Sequence, residues 1–284
     1  MKHLPDRINA PPLRACRVCS ADVAPRLVPW MYQCRSCGLL QSNLVPGEVA
    51  IDDGARWRAL NPLRRRAFAR ILDQLEPGTL LDVGCGNGLF VAMARERGFA
   101  AVGIDADPRT SEMVGRFPED VDATYGTICF LDSLEHFEHP GTALAACRRL
   151  LTGRGHVVIA LPTRRGFLYR TAELLARFGQ SGALERLWQA GFPSPHLTYF
   201  DPRGLVTLAA ANGFARVGGF PVAAVTLRSL WPRLRYTGLG FGAALLAWPA
   251  IVGAMPLMRL WPDMEAHIFA IDPHSTNAPR DLPG

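Results

Sequence analysis

The sequence predicts an α/β chain built on an open, mostly parallel sheet and preceded by a small cysteine-ligated ribbon. Three observations predict it. Residues 80–90, Leu-Leu-Asp-Val-Gly-Cys-Gly-Asn-Gly-Leu-Phe, read as a strand end, a glycine turn and a helix start. A second apolar run, Ala100 to Ile104, ends on an acid, Asp105. Upstream, Cys16-x-x-Cys19 and Cys34-x-x-Cys37 are separated by fourteen residues.

Leu80, Leu81 and Val83 form the buried strand, Gly84, Gly86 and Gly88 the turn, and Leu89 to Arg97 the helix. Glycine serves where the backbone bends sharply and approaches a ligand closely. The helix behind the turn presents free N–H groups to that ligand. An acid about 20 residues beyond such a turn sits where a ribose diol is gripped. Dinucleotide folds space their glycines as G-x-G-x-x-G for a pyrophosphate. Here the spacing is G-x-G-x-G, and Asp82 inside the strand would repel a pyrophosphate but suits a cationic amino-acid group. A cofactor-free turn of the same shape is the bland alternative.

The segment resembles motif I of the class I S-adenosylmethionine-dependent methyltransferases. The resemblance implies that Asp82 and the loop Gly84, Cys85, Gly86, Asn87 and Gly88 hold the methionine part of the cofactor, with Asp105 and Ala106 at its ribose. It extends to Thr127–Leu131 as a fourth strand and to Asp132-Ser-Leu-Glu-His-Phe-Glu-His-Pro140 after it, which brings Asp132 and Leu134 to the cofactor site. Next come a helix from Gly141 to Leu151, a turn over 152–155 and strand five from His156 to Leu161. His196-Leu-Thr-Tyr-Phe200 and a helix from Gly204 to Asn212 lead to strand six, Arg216 to Thr226, and strand seven, Ala266 to Ile271. The implied fold is a Rossmann-like sheet over residues 61–272, seven-stranded and mostly parallel with an antiparallel last strand. One stretch departs from the pattern. Only about twenty residues separate Asp105 from strand four, room for one helix (Pro108 to Arg116) and no third strand, with Asp120 or Asp122 standing in near the adenine.

Two C-x-x-C knuckles supply the four thiolates of a tetrahedral zinc site at Cys16, Cys19, Cys34 and Cys37. Gly38 would relieve strain in the second knuckle. Two redox or disulfide pairs are the alternative. The polar, proline-broken start carries no secretory signal, so the cytoplasm is expected, where thiols stay reduced and metal is favoured. A closed four-sulfur site is structural rather than catalytic. Cys85, Cys129 and Cys147 read as small buried fillers as far as packing goes. The expected order is a tail to 15, the ribbon over 16–45, a linker over 46–60, the methyltransferase domain and a mobile tail over 273–284.

The net charge is +6 in 284 residues, and Lys2 is the only lysine. Arg56, Arg58, Arg64, Arg65, Arg66 and Arg70 cluster before motif I, but on a helix they point in several directions. A solvated face is favoured over a phosphate track, so nucleic acid is disfavoured as a partner. Phe167, Leu168, Leu174, Leu175, Phe178, Leu184, Leu187 and Trp188 recur at helical intervals, giving two helices broken at Gly179 to Gly182 as a lid over the sheet's carboxyl edge (164–195). From Tyr236 to Met258 no residue is charged. Arg233, Arg235, Arg259, Trp231 and Trp261 flank this apolar insert (about 228–263), long enough to span a bilayer. The strand after it must rejoin the sheet, so interior packing is expected first. The second expectation is peripheral contact of residues 236–258 with the inner face of the membrane.

In-line methyl transfer asks the protein mainly to position two partners, with a general base where the acceptor is a hydroxyl or a carbon acid. His136 and His196 are the candidate catalytic residues. The bland reading of Glu135 and His136 is helix capping. Glu135, Glu138 and His139 could together hold a divalent metal. The sequence therefore predicts an S-adenosylmethionine-dependent methyltransferase with a structural zinc, acting on a small-molecule, glycan or lipid-linked acceptor. RNA methylation and a non-catalytic binding scaffold are the competing readings.

Overall fold

A computed structural model of the chain describes residues 10–49, 53–107, 113–236 and 240–274. Seven strands form the main sheet: Thr79–Val83 (β4), Ala100–Asp105 (β5), Met113–Val114 (β6), Tyr125–Leu131 (β7), Leu151–Pro162 (β8), Phe214–Val222 (β10) and Met264–Ile271 (β11). Their spatial order is β10-β11-β8-β7-β4-β5-β6. β4 pairs in parallel with both β5 and β7, and β7 with β8, while β11 runs antiparallel to β8 and β10. The sheet is thus mostly parallel with a reversed last strand, as the sequence predicts. Central strands are apolar almost throughout because helices cover both faces. One face carries Pro140–Leu150 (α3) and Pro202–Ala211 (α6), the other Asp53–Leu72 (α1) and Leu89–Glu96 (α2).

Several boundaries differ from expectation. The short stretch after Asp105 does contain a third strand, β6, where Met113 pairs with Ile104. The expected helix from Pro108 to Arg116 is therefore wrong at its C-terminal half, and residues 108–112 lie outside the described residues. Two residues suffice at a sheet edge because only one neighbour has to be satisfied. The turn over 152–155 is absorbed into β8. Tyr125 pairs with Leu151 and Thr127 with His156, so the extra residues bulge out of the ladder. Strand six also begins two residues earlier and ends at Val222. Most of the expected tail, 275–284, and residues 1–9 lie outside the described residues.

The ribbon is not a free-standing unit. Its strands, Val23–Arg26 (β1), Val28–Cys34 (β2) and Leu40–Ser42 (β3), are completed by Thr198–Tyr199 (β9) in the order β1-β2-β3-β9. The lid helices, Phe167–Arg177 (α4) and Gly182–Leu187 (α5), break where the sequence predicts. Their apolar side is buried on this small sheet rather than on the main one: Tyr169, Ala172, Leu184 and Trp188 pack with Trp30, Met31 and Leu40. Arg26 and Glu173 form an ion pair across the same junction. Leu174, Leu175 and Phe178, members of the same apolar series, are exposed.

The apolar insert forms Leu227–Tyr236 (α7) and Phe241–Leu260 (α8). α8 runs unbroken through Pro249 and Pro256, and only its Ala244 is buried. Interior packing, the first expectation for this segment, is overturned. Residues 237–239 of the run lie outside the described residues.

Candidate active site

The carboxyl ends of β4, β5 and β7 open into a cavity of about 860 Å³, at the point where strand order reverses. Gly84, Gly86 and Gly88 all have positive φ (76°, 54° and 69°). At Gly84 the requirement is also steric, because a Cβ there would meet Ser133 Cβ at 2.6 Å. The Gly86 N–H donates to Asp105 Oδ2 at 2.9 Å, and the Asp107 N–H donates to Asp105 Oδ1 at 2.9 Å. Asp105 therefore straps the glycine loop to the end of β5. Gly88 caps α2 without a side-chain partner, so the first N–H groups of that helix face the loop.

Of the residues expected at the cofactor, Asp82, Gly84, Cys85, Gly86, Asn87, Asp105, Ala106 and Asp132 line the cavity. Gly88 and Leu134 do not line it: Gly88 is half-buried at the start of α2, and Leu134 is a core residue with no exposed surface. Asp82 is 2% exposed and its Oδ1 has no hydrogen-bond partner. Burial raises its carboxyl to about 7; Arg64 opposes the rise and Asp105 adds to it. A buried carboxylate oxygen left unpaired is costly unless a cation or donor completes it.

Several wall residues were missed by sequence reasoning. Arg56 and Arg64 flank the Trp57 ring at 4.8 and 5.6 Å, and Trp57 Cη2 lies 3.3 Å from the place a Gly86 Cβ would take. Arg64 also donates to Asp132 Oδ2 at 3.1 Å. Asp132 holds a left-handed φ of 58° at the end of β7, uncommon outside glycine and suggestive of a constrained site. The arginine cluster is thus split: Arg58, Arg65, Arg66 and Arg70 are exposed, as expected of a solvated face. Neither Asp120 nor Asp122 reaches the cavity. Asp120 accepts the Arg116 N–H at 2.7 Å, and Glu119, with Arg116 and Phe117, lines the wall instead. Only the fold of the loop could have told these acids apart.

A second cavity, of about 340 Å³, meets the first along Arg64, Phe68, Asp132, His136 and Gln189. Its remaining wall is largely apolar, from Leu60, Leu63 and Ile71 of α1 to Leu230, Leu234 and Ile251 of the α7–α8 hairpin. His136 lines both cavities. Its Nδ1–H donates to the Pro195 carbonyl at 2.9 Å, which leaves Nε2 with the lone pair. Burial lowers the His136 imidazole, partly offset by the Pro195 carbonyl and Asp132. His196 lies 4.8 Å away, ring to ring and edge-on, and lines only the second cavity. It is buried, receives the Gln189 amide at 2.9 Å on Nε2, and burial, aided by His136, holds it far below its ordinary value. Glu135 is buried beside them with neither carboxyl oxygen hydrogen-bonded and Oε1 4.0 Å from His196 Nε2, and burial raises it well above the usual carboxylate range.

The structure does not assemble Glu135 with Glu138 and His139, because both of the latter are exposed and His139 caps α3. It gathers Glu135, His136 and His196 instead, with one ligand atom from each within 4.8 Å of the others. At the ribbon, the Cys16, Cys19, Cys34 and Cys37 sulfurs converge equally closely. The Cys16–Cys37 and Cys19–Cys34 separations are 3.7 and 3.4 Å, near the roughly 3.8 Å edge of a tetrahedron with 2.3 Å zinc–sulfur bonds. Burial pushes the Cys34 thiol up, but N–H groups of Cys37 and Ser36 outweigh it and bring it down to about 7. Gly38 takes φ 71° after the second knuckle, and Ser20 takes φ 58° at the matching place after the first.

Residues 55–217 match a family described as a methyltransferase domain. The ubiquinone biosynthesis O-methyltransferase of Alkalilimnicola ehrlichii is 29% identical over 166 residues, covering 48% of this chain and 67% of that protein. Its counterpart from Caulobacter vibrioides is 28% identical over 210 residues, covering 66% and 78%. Among solved structures, an S-adenosylmethionine-dependent methyltransferase from Thermotoga maritima superposes with a TM-score of 0.51 at 12% identity, over 78% of this chain and 96% of that one. The glycine cradle, the parallel sheet with its reversed last strand and the family match over more than half the chain agree: this protein belongs to the methyltransferase domain family, as a class I S-adenosylmethionine-dependent enzyme with an N-terminal four-cysteine ribbon.

Proposed function

We infer that the protein methylates a hydroxyl on a small or lipid-linked acceptor with an apolar body, using His136 as general base. The observation that carries this is the meeting of the glycine-loop cavity with the more apolar second cavity at His136. When bound, S-adenosylmethionine supplies an electrophilic methyl that leaves sulfur as an acceptor atom attacks in line. Asp82 offers its unpartnered oxygen to the ammonium group, and the N-terminus of α2 and the glycine loop receive the carboxylate. Asp105 keeps lone pairs for the ribose hydroxyls beyond those used by the loop. Phe117 and Glu119 of the cavity wall would hold the adenine. His136 Nε2 would take the proton of an acceptor hydroxyl, and the Pro195 carbonyl would stabilise the resulting imidazolium through Nδ1–H. The relatives from Alkalilimnicola ehrlichii and Caulobacter vibrioides are named O-methyltransferases, which agrees with an oxygen acceptor.

Zinc held by the four cysteines would be structural, since four sulfurs close its coordination. A divalent cation among Glu135, His136 and His196 would compete with the base role, because it would take the His136 Nε2 lone pair that the proton needs.

The test is calorimetric titration of zinc-loaded protein with S-adenosylmethionine and S-adenosylhomocysteine beside an Asp105→Ala variant, followed by radiomethyl transfer to phenols with and without a long alkyl chain. Cofactor binding lost in the variant and preference for the chained phenol are expected. Equal turnover of both phenols would remove the apolar-acceptor reading while leaving the cofactor site intact.

A further inference from the structure

Helix α8 shows water an apolar face that no described element covers. Its mean hydropathy reaches 1.7, yet only 6% of that window is buried. A core helix of similar composition would be enclosed, so the sequence is not explained by packing within the chain. Leu246 is 77% exposed, and Phe241, Leu245 and Leu260 are more than half exposed. An exposed apolar surface of this extent marks an interaction site.

The face continues onto α4. Arg170, Leu174 and Phe178 stand at i, i+4 and i+8 on one side of that helix, and the Arg170 guanidinium lies 6.0 Å over the Trp261 ring at the end of α8. Leu174 and Phe178 are exposed. The margin is basic and aromatic: Arg170, Arg177, Arg228 and Arg259 are exposed around it, and no Asp or Glu occurs from Leu227 to Pro262. Arginine and tryptophan bordering an uncharged apolar helix match the headgroup level of a bilayer.

α8 does not span. It packs on α7 and α4, the Phe167 N–H binds the Trp261 carbonyl at 3.0 Å, and β11 rejoins β8 from Met264 onward. Both ends of the helix therefore belong to one body on one side of any membrane. Its other side helps close the apolar cavity through Ile251, with Leu230 and Leu234 of α7.

We propose that the α7–α8 hairpin and the outer side of α4 form a docking face for an anionic bilayer, with α8 lying in the headgroup plane. Docking goes beyond the acceptor reading above and does not depend on it. The apolar residues enter the boundary between headgroups and acyl chains, and the arginines pair with lipid phosphates.

Co-sedimentation of the full zinc-loaded chain with phosphatidylcholine vesicles, with and without phosphatidylglycerol, tests this. A Leu246→Glu, Phe178→Glu double variant serves as control, and its melting temperature and S-adenosylhomocysteine affinity show that it is folded. Binding to anionic vesicles about tenfold tighter than to neutral ones, weakened by salt and lost in the double variant, is expected. Wild-type protein left in solution beside anionic vesicles overturns the proposal. So does a lipid-free dimer that the double variant splits while vesicle binding persists, since the face would then join two copies. Equal binding to neutral vesicles overturns the role of the arginine margin.

Discussion

The Ser42 hydroxyl donates to the main-chain carbonyl of His196 at 2.7 Å, and the Ser42 N–H donates to the Leu197 carbonyl at 3.0 Å. The last ribbon strand is thereby fastened to the segment that carries one of the two site histidines. Leu197 in turn donates its N–H to the Glu135 carbonyl at 2.9 Å. The cysteine site is thus connected by main-chain bonds to the floor of the second cavity, whereas the N–H groups of Gly84 and Gly86 bond to Ile104 and Asp105 of the main sheet.

Metal removal should accordingly separate the two halves of the site. Chelation of the zinc-loaded protein, or Cys34→Ser, should raise the acceptor KM by about tenfold, as loss of a supporting shell commonly does. S-adenosylhomocysteine affinity should change by less than about twofold. Metal analysis beside steady-state kinetics and calorimetry checks this; a parallel loss of both affinities would show that the ribbon merely supports the whole fold.

Asp82 should trade stability for cofactor affinity. Its carboxyl stands at about 7 in the folded protein against an ordinary 3.8. Between these values the folded state holds a proton that the unfolded state has lost, so stability falls as pH rises from about 4 to 7 and stays lower above. Asp82→Asn should therefore melt about 3–6 °C higher at pH 8 while losing most of its affinity for S-adenosylmethionine. In the wild type, that affinity should weaken as pH drops below about 7, because the ammonium needs the carboxylate. Scanning calorimetry and a pH series of titrations read both effects.

Arg64 should set where that pH profile lies. Its charge pulls the Asp82 carboxyl down and anchors Asp132. Arg64→Met should move the midpoint of cofactor binding to higher pH and weaken binding at pH 7 by about tenfold. An unshifted midpoint would mean that the guanidinium is screened from Asp82 in solution.

His136→Ala should cut turnover by about 100-fold or more, with S-adenosylhomocysteine affinity unchanged. His196→Ala should act mainly on the acceptor KM, since His196 lines only the second cavity. Full activity in His136→Ala would end the base assignment.

Gly84→Ala should destabilise the fold by about 2–3 kcal/mol, from its left-handed backbone and the contact with Ser133. Chemical denaturation measures it.

The parallel core of the sheet, its glycine turn and the four-cysteine set were legible along the chain, but the two-residue edge strand β6 was not. Those features rest on local pattern: Leu80 to Val83 must be buried, Gly84 must bend, and two knuckles of fixed spacing bring their own ligands together. Tertiary structure decided what depends on long-range pairing. The six arginines before motif I share one composition, and only packing turned Arg56 and Arg64 toward Trp57 and laid Arg70 over Phe220, while Arg58, Arg65 and Arg66 are exposed. Glu135, His136 and His196 are joined across sixty residues by the return of β9 to the ribbon, a contact with no periodic trace. The uncharged run before β11 reads the same whether enclosed or exposed. Its fate was settled by which faces the sheet had left to cover: α1 and α2 already filled one, α3 and α6 the other, and α8 remained outside.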